Sequence, residues 1–131
     1  MVRSNVYLIR GQYSKAIEFT KQIIERADSP ERANFFKPNL VCQYAIAGQP
    51  EKAREHMKEV VELRKRGQIL ASRMALASYL LGETDEAIDW FERAYEEHDV
   101  WLLDIKSWVC YEQLKEHARI RKLLQRIGLP L

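Results

Sequence analysis

The sequence predicts an all-α fold built from stacked helical hairpins, and two observations carry that prediction. Apolar residues recur at intervals of three and four along nearly the whole chain of 131 residues, which is the period of an α-helix. A short motif, in which a glycine is followed five residues later by an alanine that opens an apolar stretch, also occurs three times. The copies begin at Gly11, Gly48 and Gly82, in steps of 37 and 34 residues. A period of about 34 residues without strand character is typical of helical hairpins that bury their apolar faces against one another.

Each copy predicts a hairpin in which an A helix ends at the glycine and a B helix follows it. The A helices are predicted at about 2–10, 37–47 and 69–81, and the B helices at about 13–27, 50–66 and 84–97. Glycine suits these boundaries because the residue after a helix often needs a positive φ. Pro50 lies two residues after Gly48, where proline fits the first turn of the next helix. The buried alanines Ala16, Ala53 and Ala87 are expected to let the two helices of each hairpin approach closely.

The course of the chain between the first two hairpins has two interpretations. Ser29, followed by Pro30 and Glu31, predicts a helix start, with a capping serine and an acid near the positive helix end. Pro38 then falls at or inside the next helix. Either a short extra turn at about 30–36 precedes the second A helix, or that helix is long and kinked at Pro38.

The repeated motif resembles the tetratricopeptide repeat family. In that family the A helix carries a large residue, a leucine, a small residue and a tyrosine, and the B helix carries an alanine, an aromatic residue and an alanine. The third copy matches best, with Met74, Ala75, Tyr79, Gly82, Ala87, Ile88, Phe91 and Ala94; the second has Leu40, Tyr44, Gly48, Ala53, Met57 and Val60; the first has Tyr7, Gly11, Tyr13, Ala16 and Ile17. The resemblance implies one domain over 1–131, a right-handed superhelix of about three hairpins with repeats at about 1–29, 30–67 and 68–101.

The C-terminal half has a second, narrower resemblance. The runs from Ala94 to Leu103 and from Arg119 to Pro130 are similar to the end of tetratricopeptide segments in bacterial signalling proteins, including winged-helix regulators, adenylate cyclases and protein kinases. This resemblance implies a linker and a capping helix over 102–131, and an upstream effector domain. The usual Asp-Pro turns are replaced by Lys106–Cys110, so the conformation of the 104–115 linker is left open.

The apolar stripe of the last helix predicts a cap independently of ancestry. Ile120, Leu123, Leu124 and Ile127 follow the i, i+3, i+4, i+7 pattern, and charged residues occupy the other positions. The stripe is expected to cover the apolar face of the third hairpin. The N-terminal end has no such cap, and its short A helix is expected to leave Tyr13 and Ile17 partly uncovered. This predicts either self-association at that end or a missing upstream segment.

The composition and the motifs of the sequence argue against an enzyme with a catalytic or metal site. The hydrophobic fraction of 47% is that of a globular protein, and the net charge of +2 comes without a concentrated basic face. There is no phosphate-binding glycine loop. His56, His98 and His117 are predicted on solvated helix faces or ends, without the spacing of a metal site.

The remaining reactive groups lead to the same expectation. Cys42 and Cys110 are expected to be reduced core thiols, and the acidic cluster of Glu96, Glu97 and Asp99 to be a solvated helix end. We therefore expect a cytoplasmic protein with no enzymatic activity, no cofactor, no metal, no nucleic-acid ligand and no membrane span.

The family resemblance places the working face on the A helices, which line the concave surface of such superhelices. The implied groove residues are Asn5, Leu8, Ile9, Asn39, Cys42, Ile46, Arg73, Leu76, Tyr79 and Leu80. With one arginine and two asparagines, this groove favours an apolar helix or extended segment of a partner protein over a carboxylate clamp. A second copy of the chain is another expected occupant. In the other interpretation, Leu8, Ile46, Leu76 and Leu80 merely pack between neighbouring A helices.

The expected function is a protein-interaction scaffold; the alternative is a regulatory or oligomerisation segment of a larger bacterial signalling protein.

Overall fold

The computed structural model describes residues 12–108 and 111–128, and over those residues the protein is all-helical, without strands. The prediction of an all-α chain is confirmed for this part of the protein. The elements are α1 (Tyr13–Glu25), α2 (Pro30–Ile46), α3 (Pro50–Lys65), α4 (Ala71–Leu80), α5 (Thr84–Glu96), the 3-10 helix η1 (Val100–Ser107), α6 (Tyr111–Leu114) and α7 (Ala118–Ile127). The first A helix predicted at 2–10, together with Gly11, lies outside the described residues. The chain forms two compact units, Met1–Ile69 and Leu70–Leu131.

In the first unit, α2 packs against both α1 and α3. Small residues occupy the contacts, since Ala16 and Ala53 are fully buried, as the motif predicts. Ile17 is also buried, with only 7% of its surface exposed, so the expectation that it is uncovered is wrong, while Tyr13 is half-buried. A buried hydrogen bond of 2.9 Å, donated by Nε2 of Gln43 to Oγ1 of Thr20, joins α2 to α1.

The segment after α1 is one long helix. The second A helix begins at Pro30 instead of near residue 37, and Pro38 lies inside it, buried. The interpretation with a separate turn at 30–36 is therefore wrong. The start signal acts as predicted, because the Ser29 side chain accepts a hydrogen bond from the Arg32 backbone N–H at 3.2 Å. Capping at Ser29 and a proline in the first turn fix the beginning of α2 about two turns earlier than the repeat alone suggests.

In the second unit, α5 packs against α4, α7 and η1, and η1 also contacts α6. Ala75, Ala87 and Phe91 are fully buried in one hydrophobic cluster. The predicted cap is confirmed: Ile120, Leu123 and Leu124 are buried in the same cluster, and Ile127 packs against it.

Charged side chains complete the contact of α7 with α5. The Arg119 guanidinium on α7 pairs with Asp89 at 2.7 Å and also with Glu92, both on α5. The hydrogen bonds that Arg119 donates to these carboxylates, to Glu92 first and then to Asp89, raise the pKa of Arg119 above its ordinary value. The pairs are exposed, so they orient α7 more than they stabilise it.

The linker left open by the sequence is a 3-10 helix followed by one turn of α-helix. With three residues per turn, side chains at i and i+3 lie on the same edge. Leu102 and Ile105 form the inner edge of η1, exposed by 2% and 0%, and contribute to the core. The same period places Val100 and Leu103 together on an outer edge.

The repeat glycines have the conformation that the motif predicts. Gly48 and Gly82 have φ values of +77° and +85°, directly after α2 and α4. These values lie in the left-handed region, where a side chain costs energy and glycine does not.

Candidate protein-interaction surface

The predicted groove residues of the first unit form one row on α2. Asn39, Cys42 and Ile46 follow the i, i+3, i+7 spacing, which places them on one face of the helix. Asn39 and Cys42 are buried, with 8% and 7% of their surfaces exposed, and Ile46 is half-buried. Asn5, Leu8 and Ile9 lie outside the described residues. The role of all these predicted groove residues in binding a partner stays a prediction.

The predicted groove residues of the second unit lie on α4 and are more accessible. Arg73, Leu76 and Leu80 have the same i, i+3, i+7 spacing, Tyr79 lies beside them, and all four are half-buried. Leu76, Tyr79 and Leu80 pack partly against the hydrophobic cluster of this unit. Groove lining and core packing are therefore compatible for Leu76 and Leu80, because each side chain is partly buried and partly exposed.

Arg73 connects this row to a surface that the sequence analysis did not identify. Its guanidinium carbon lies 5.2 Å from the centroid of the Trp101 ring on η1, within the range of a cation–π contact. Three side chains of η1 expose unusually large apolar areas: Val100 is 69% exposed, Leu103 56% and Trp101 38%. We call Arg73, Val100, Trp101 and Leu103 the η1 patch.

The period of η1 explains why the patch exists. Because Leu102 and Ile105 occupy the buried edge of a helix with three residues per turn, Val100 and Leu103 are carried together onto an outer edge. From the sequence, these residues were assigned only to the run from Ala94 to Leu103 that resembles the end of tetratricopeptide segments. The signal for an exposed patch is the apolar run from Val100 to Leu103, which is too dense for one buried face of an α-helix.

A buried carboxylate holds η1 against α4. Asp99 was expected in a solvated acidic cluster, and that expectation is wrong: only 9% of its surface is exposed. Its two carboxylate oxygens accept hydrogen bonds from the backbone N–H groups of Ser72, at 2.9 Å, and of Trp101, at 3.0 Å. One side chain therefore caps the first turns of two helices, where free N–H groups and the helix dipole favour a negative charge. The Asp99 cap fixes Trp101 close to Arg73.

The three histidines have different environments. His98, at the end of α5, is exposed as predicted, with a φ of 57°. His56 and His117 are half-buried, so a fully solvated position is wrong for both. His56 stacks on Tyr44 with a centroid distance of 5.1 Å, and His117 contacts Tyr79 edge-on at 6.1 Å.

Two lysines of the described residues have raised pKa values. A hydrogen bond that Lys115 donates to the Glu112 carboxylate raises the pKa of Lys115, and a hydrogen bond with Tyr44 raises the pKa of Lys21. Each shift stabilises the charged form of a group that is already charged at neutral pH. Proton transfer near neutrality requires shifts toward pH 7 instead.

Neither a metal cluster nor a membrane-spanning helix occurs among the described residues. Within 12–108 and 111–128, no three His, Cys, Asp or Glu side chains converge as metal ligands. None of the helices in that part of the chain has the length and apolar character needed to cross a bilayer. No family model, curated protein or solved structure matches the chain.

Proposed function

We propose that the protein is a non-enzymatic interaction module of the tetratricopeptide type, a right-handed superhelix that binds a helix or peptide of a partner protein. The hairpin motif at Gly48 and Gly82, with positive φ at both glycines, supports the repeat type. The observation that carries the binding function is the η1 patch, where Val100, Trp101 and Leu103 are exposed and Trp101 lies beside Arg73.

The chemistry of the patch is that of a protein-binding surface. Contiguous exposed apolar side chains are costly in water and mark interaction sites in folded proteins. Tryptophan and arginine are the residues most enriched among those that dominate binding energy. Stacking on Trp101 restricts the Arg73 side chain before a partner arrives, so less conformational entropy is lost on binding.

The neighbouring row on α4 extends the patch. Arg73 belongs to both surfaces, and Leu76 and Leu80 continue from it along α4 at the spacing of one helix face. A partner helix or extended segment with apolar residues at similar intervals fits such a row. The half-buried state of the two leucines leaves apolar surface for that contact.

A second candidate function is the regulatory or oligomerisation segment of a larger bacterial signalling protein. Ile120, Leu123 and Leu124 of α7 bury against the third hairpin, as a terminal cap of such a segment must. The reading frame of the gene separates the two functions, since a frame that begins at Met1 contradicts the regulatory segment.

Selection from a random peptide library displayed on phage tests the proposal without a known partner. Peptides selected on the wild-type protein are measured against Leu103→Glu, against Arg73→Glu, and against the double variant Arg73→Glu/Leu76→Glu. Loss of a dominant contact should weaken binding about tenfold or more. Lys58→Glu makes the same charge change as Arg73→Glu at an exposed position on α3, in the other unit, and should leave binding unchanged.

Circular dichroism of each variant must show wild-type helicity for the comparison to count. Peptides that bind Leu103→Glu and Arg73→Glu as tightly as the wild type would place the binding surface elsewhere. Failure to select any peptide would contradict the proposed function itself.

A further inference from the structure

Two helices of the first unit, α1 and α3, place basic side chains beside one buried phenol of α2. Tyr44, on α2, is only 5% exposed. The Nζ atom of Lys21, on α1, lies 5.6 Å from the centroid of its ring, and the Nζ atom of Lys52, on α3, lies 5.9 Å from it. Lys21 also forms a hydrogen bond with the Tyr44 side chain. Two ammonium groups from different helices therefore meet at one aromatic side chain.

His56 fixes the orientation of that side chain. It follows Lys52 by four residues on α3, so both project from the same face of the helix. Its imidazole lies parallel to the Tyr44 ring, with an interplanar angle of 9° and a centroid distance of 5.1 Å. Stacking and burial hold the phenol in place beside the two lysines.

Neither of the two lysines has a carboxylate at ion-pair distance within the described residues. Lys37 pairs with Glu59 at 2.6 Å and Lys65 with Glu62 at 3.1 Å, whereas Lys21 and Lys52 form no such pair. Both ammonium groups lie beside the same ring, and an anion bound there would be attracted by each of them.

Carboxylates are present farther away. Glu18 and Glu25, on α1, attract the Lys21 ammonium at longer range and add to the effect of the Tyr44 hydrogen bond in raising the pKa of Lys21. Glu51 and Glu55, on α3, are exposed. These groups moderate the positive potential without occupying the lysines as hydrogen-bond partners.

We propose that Lys21, Lys52 and Tyr44 form a binding site for a phosphate group. A phosphate carries a charge of about −1.5 to −2 at pH 7, which matches two ammonium groups, whereas a carboxylate would leave one of them unpaired. Lysine binds phosphate as a point charge and needs no planar fork, unlike the paired contacts of arginine with a carboxylate. The phenol hydroxyl supplies a further hydrogen bond. Free phosphate and a phosphorylated side chain of a partner protein share this chemistry.

Titration of the full chain tests the site, with inorganic phosphate and a phosphoserine peptide as the two probes. Backbone amide shifts in two-dimensional NMR should move around Tyr44 on α2 and around Lys21 and Lys52, and saturate. Lys21→Met and Lys52→Met should each weaken binding about tenfold, because each removes one charge-assisted hydrogen bond. Tyr44→Phe keeps the stacked ring and should weaken binding less.

Matched controls separate the site from general charge effects. Lys58→Met removes the same charge from an exposed position of α3 and should leave the affinity unchanged. Tighter binding of the phosphopeptide identifies a protein side chain as the source of the phosphate, and tighter binding of the inorganic ion identifies free phosphate; both support the site. The proposal is overturned if phosphate produces no saturable shifts, if acetate at equal ionic strength produces the same ones, or if Lys58→Met weakens binding as much as Lys52→Met.

Discussion

Replacement of Asp99 is the perturbation whose effect the structure defines most sharply. Its carboxylate accepts hydrogen bonds from two backbone N–H groups that belong to different helices, Ser72 on α4 and Trp101 on η1. Asp99→Ala removes both acceptors. Asp99→Asn keeps a similar shape and one acceptor oxygen, but it loses the second acceptor and the negative charge.

The expected cost follows from these two contacts. Loss of a capping side chain destabilises a protein by about 0.5–2 kcal/mol, and here one residue caps two helices. The Ser72 contact is buried, so its N–H group loses its partner where water cannot fully replace it. We expect Asp99→Ala to lower the free energy of unfolding by about 2–4 kcal/mol, and Asp99→Asn by about half as much.

Urea denaturation followed by tryptophan fluorescence measures this effect in the relevant unit. All three tryptophans of the chain, at positions 90, 101 and 108, lie in Leu70–Leu131. Ser29→Ala is the matched control, because Ser29 provides a single exposed cap to α2 and should cost about 1 kcal/mol, measured by circular dichroism. If Asp99→Ala proves no more destabilising than Ser29→Ala, the double cap does not stabilise the protein as argued.

Three further perturbations test the second unit. Ala87→Trp should lower stability by about 1–3 kcal/mol or more, since Ala87 is fully buried; an unchanged melting temperature would contradict the packing of α5. Leu124→Ala should cost about 2–5 kcal/mol in urea denaturation because it leaves a cavity under α7, and a loss below 1 kcal/mol would mean that the cap contributes little. Gly82→Ala should cost about 1–2 kcal/mol through its φ of +85° alone, because no atom lies within 4 Å of an added Cβ. Gly82→Asn should recover part of that loss in the same assay, and equal losses would rule out a backbone origin.

Sequence reasoning worked best where one local cause decides the outcome. The period of apolar residues predicts the helices, and the glycines that can adopt a positive φ predict where α2 and α4 end. The apolar stripe from Ile120 to Ile127 predicts the capping helix, because an amphipathic helix buries its apolar face against another part of the protein. The start of α2 was left with two interpretations because two local signals, Ser29 with Pro30 and the later Pro38, point to different starts; the helix begins at Pro30, where Ser29 caps it.

The candidate sites, in contrast, depend on contacts between residues that are distant in the sequence. Arg73 was expected in a groove from its register on α4, but its contact with Trp101 depends on η1, a helix whose three-residue period was not expected. The cluster at Tyr44 joins residues of α1, α2 and α3, and no spacing in the sequence connects Lys21 to Lys52.

The sequence by itself determined that this chain is helical, where most of its described helices end, and which face of the last helix is buried. Those properties depend on residues within one or two turns of each other, so the local pattern contains them. Only the tertiary structure decided that Asp99 is a buried cap instead of a solvated acid, and that Val100 and Leu103 face outward together. Both outcomes depend on groups from distant parts of the chain competing for the same hydrogen bonds and the same apolar contacts, and that competition is settled when the chain packs.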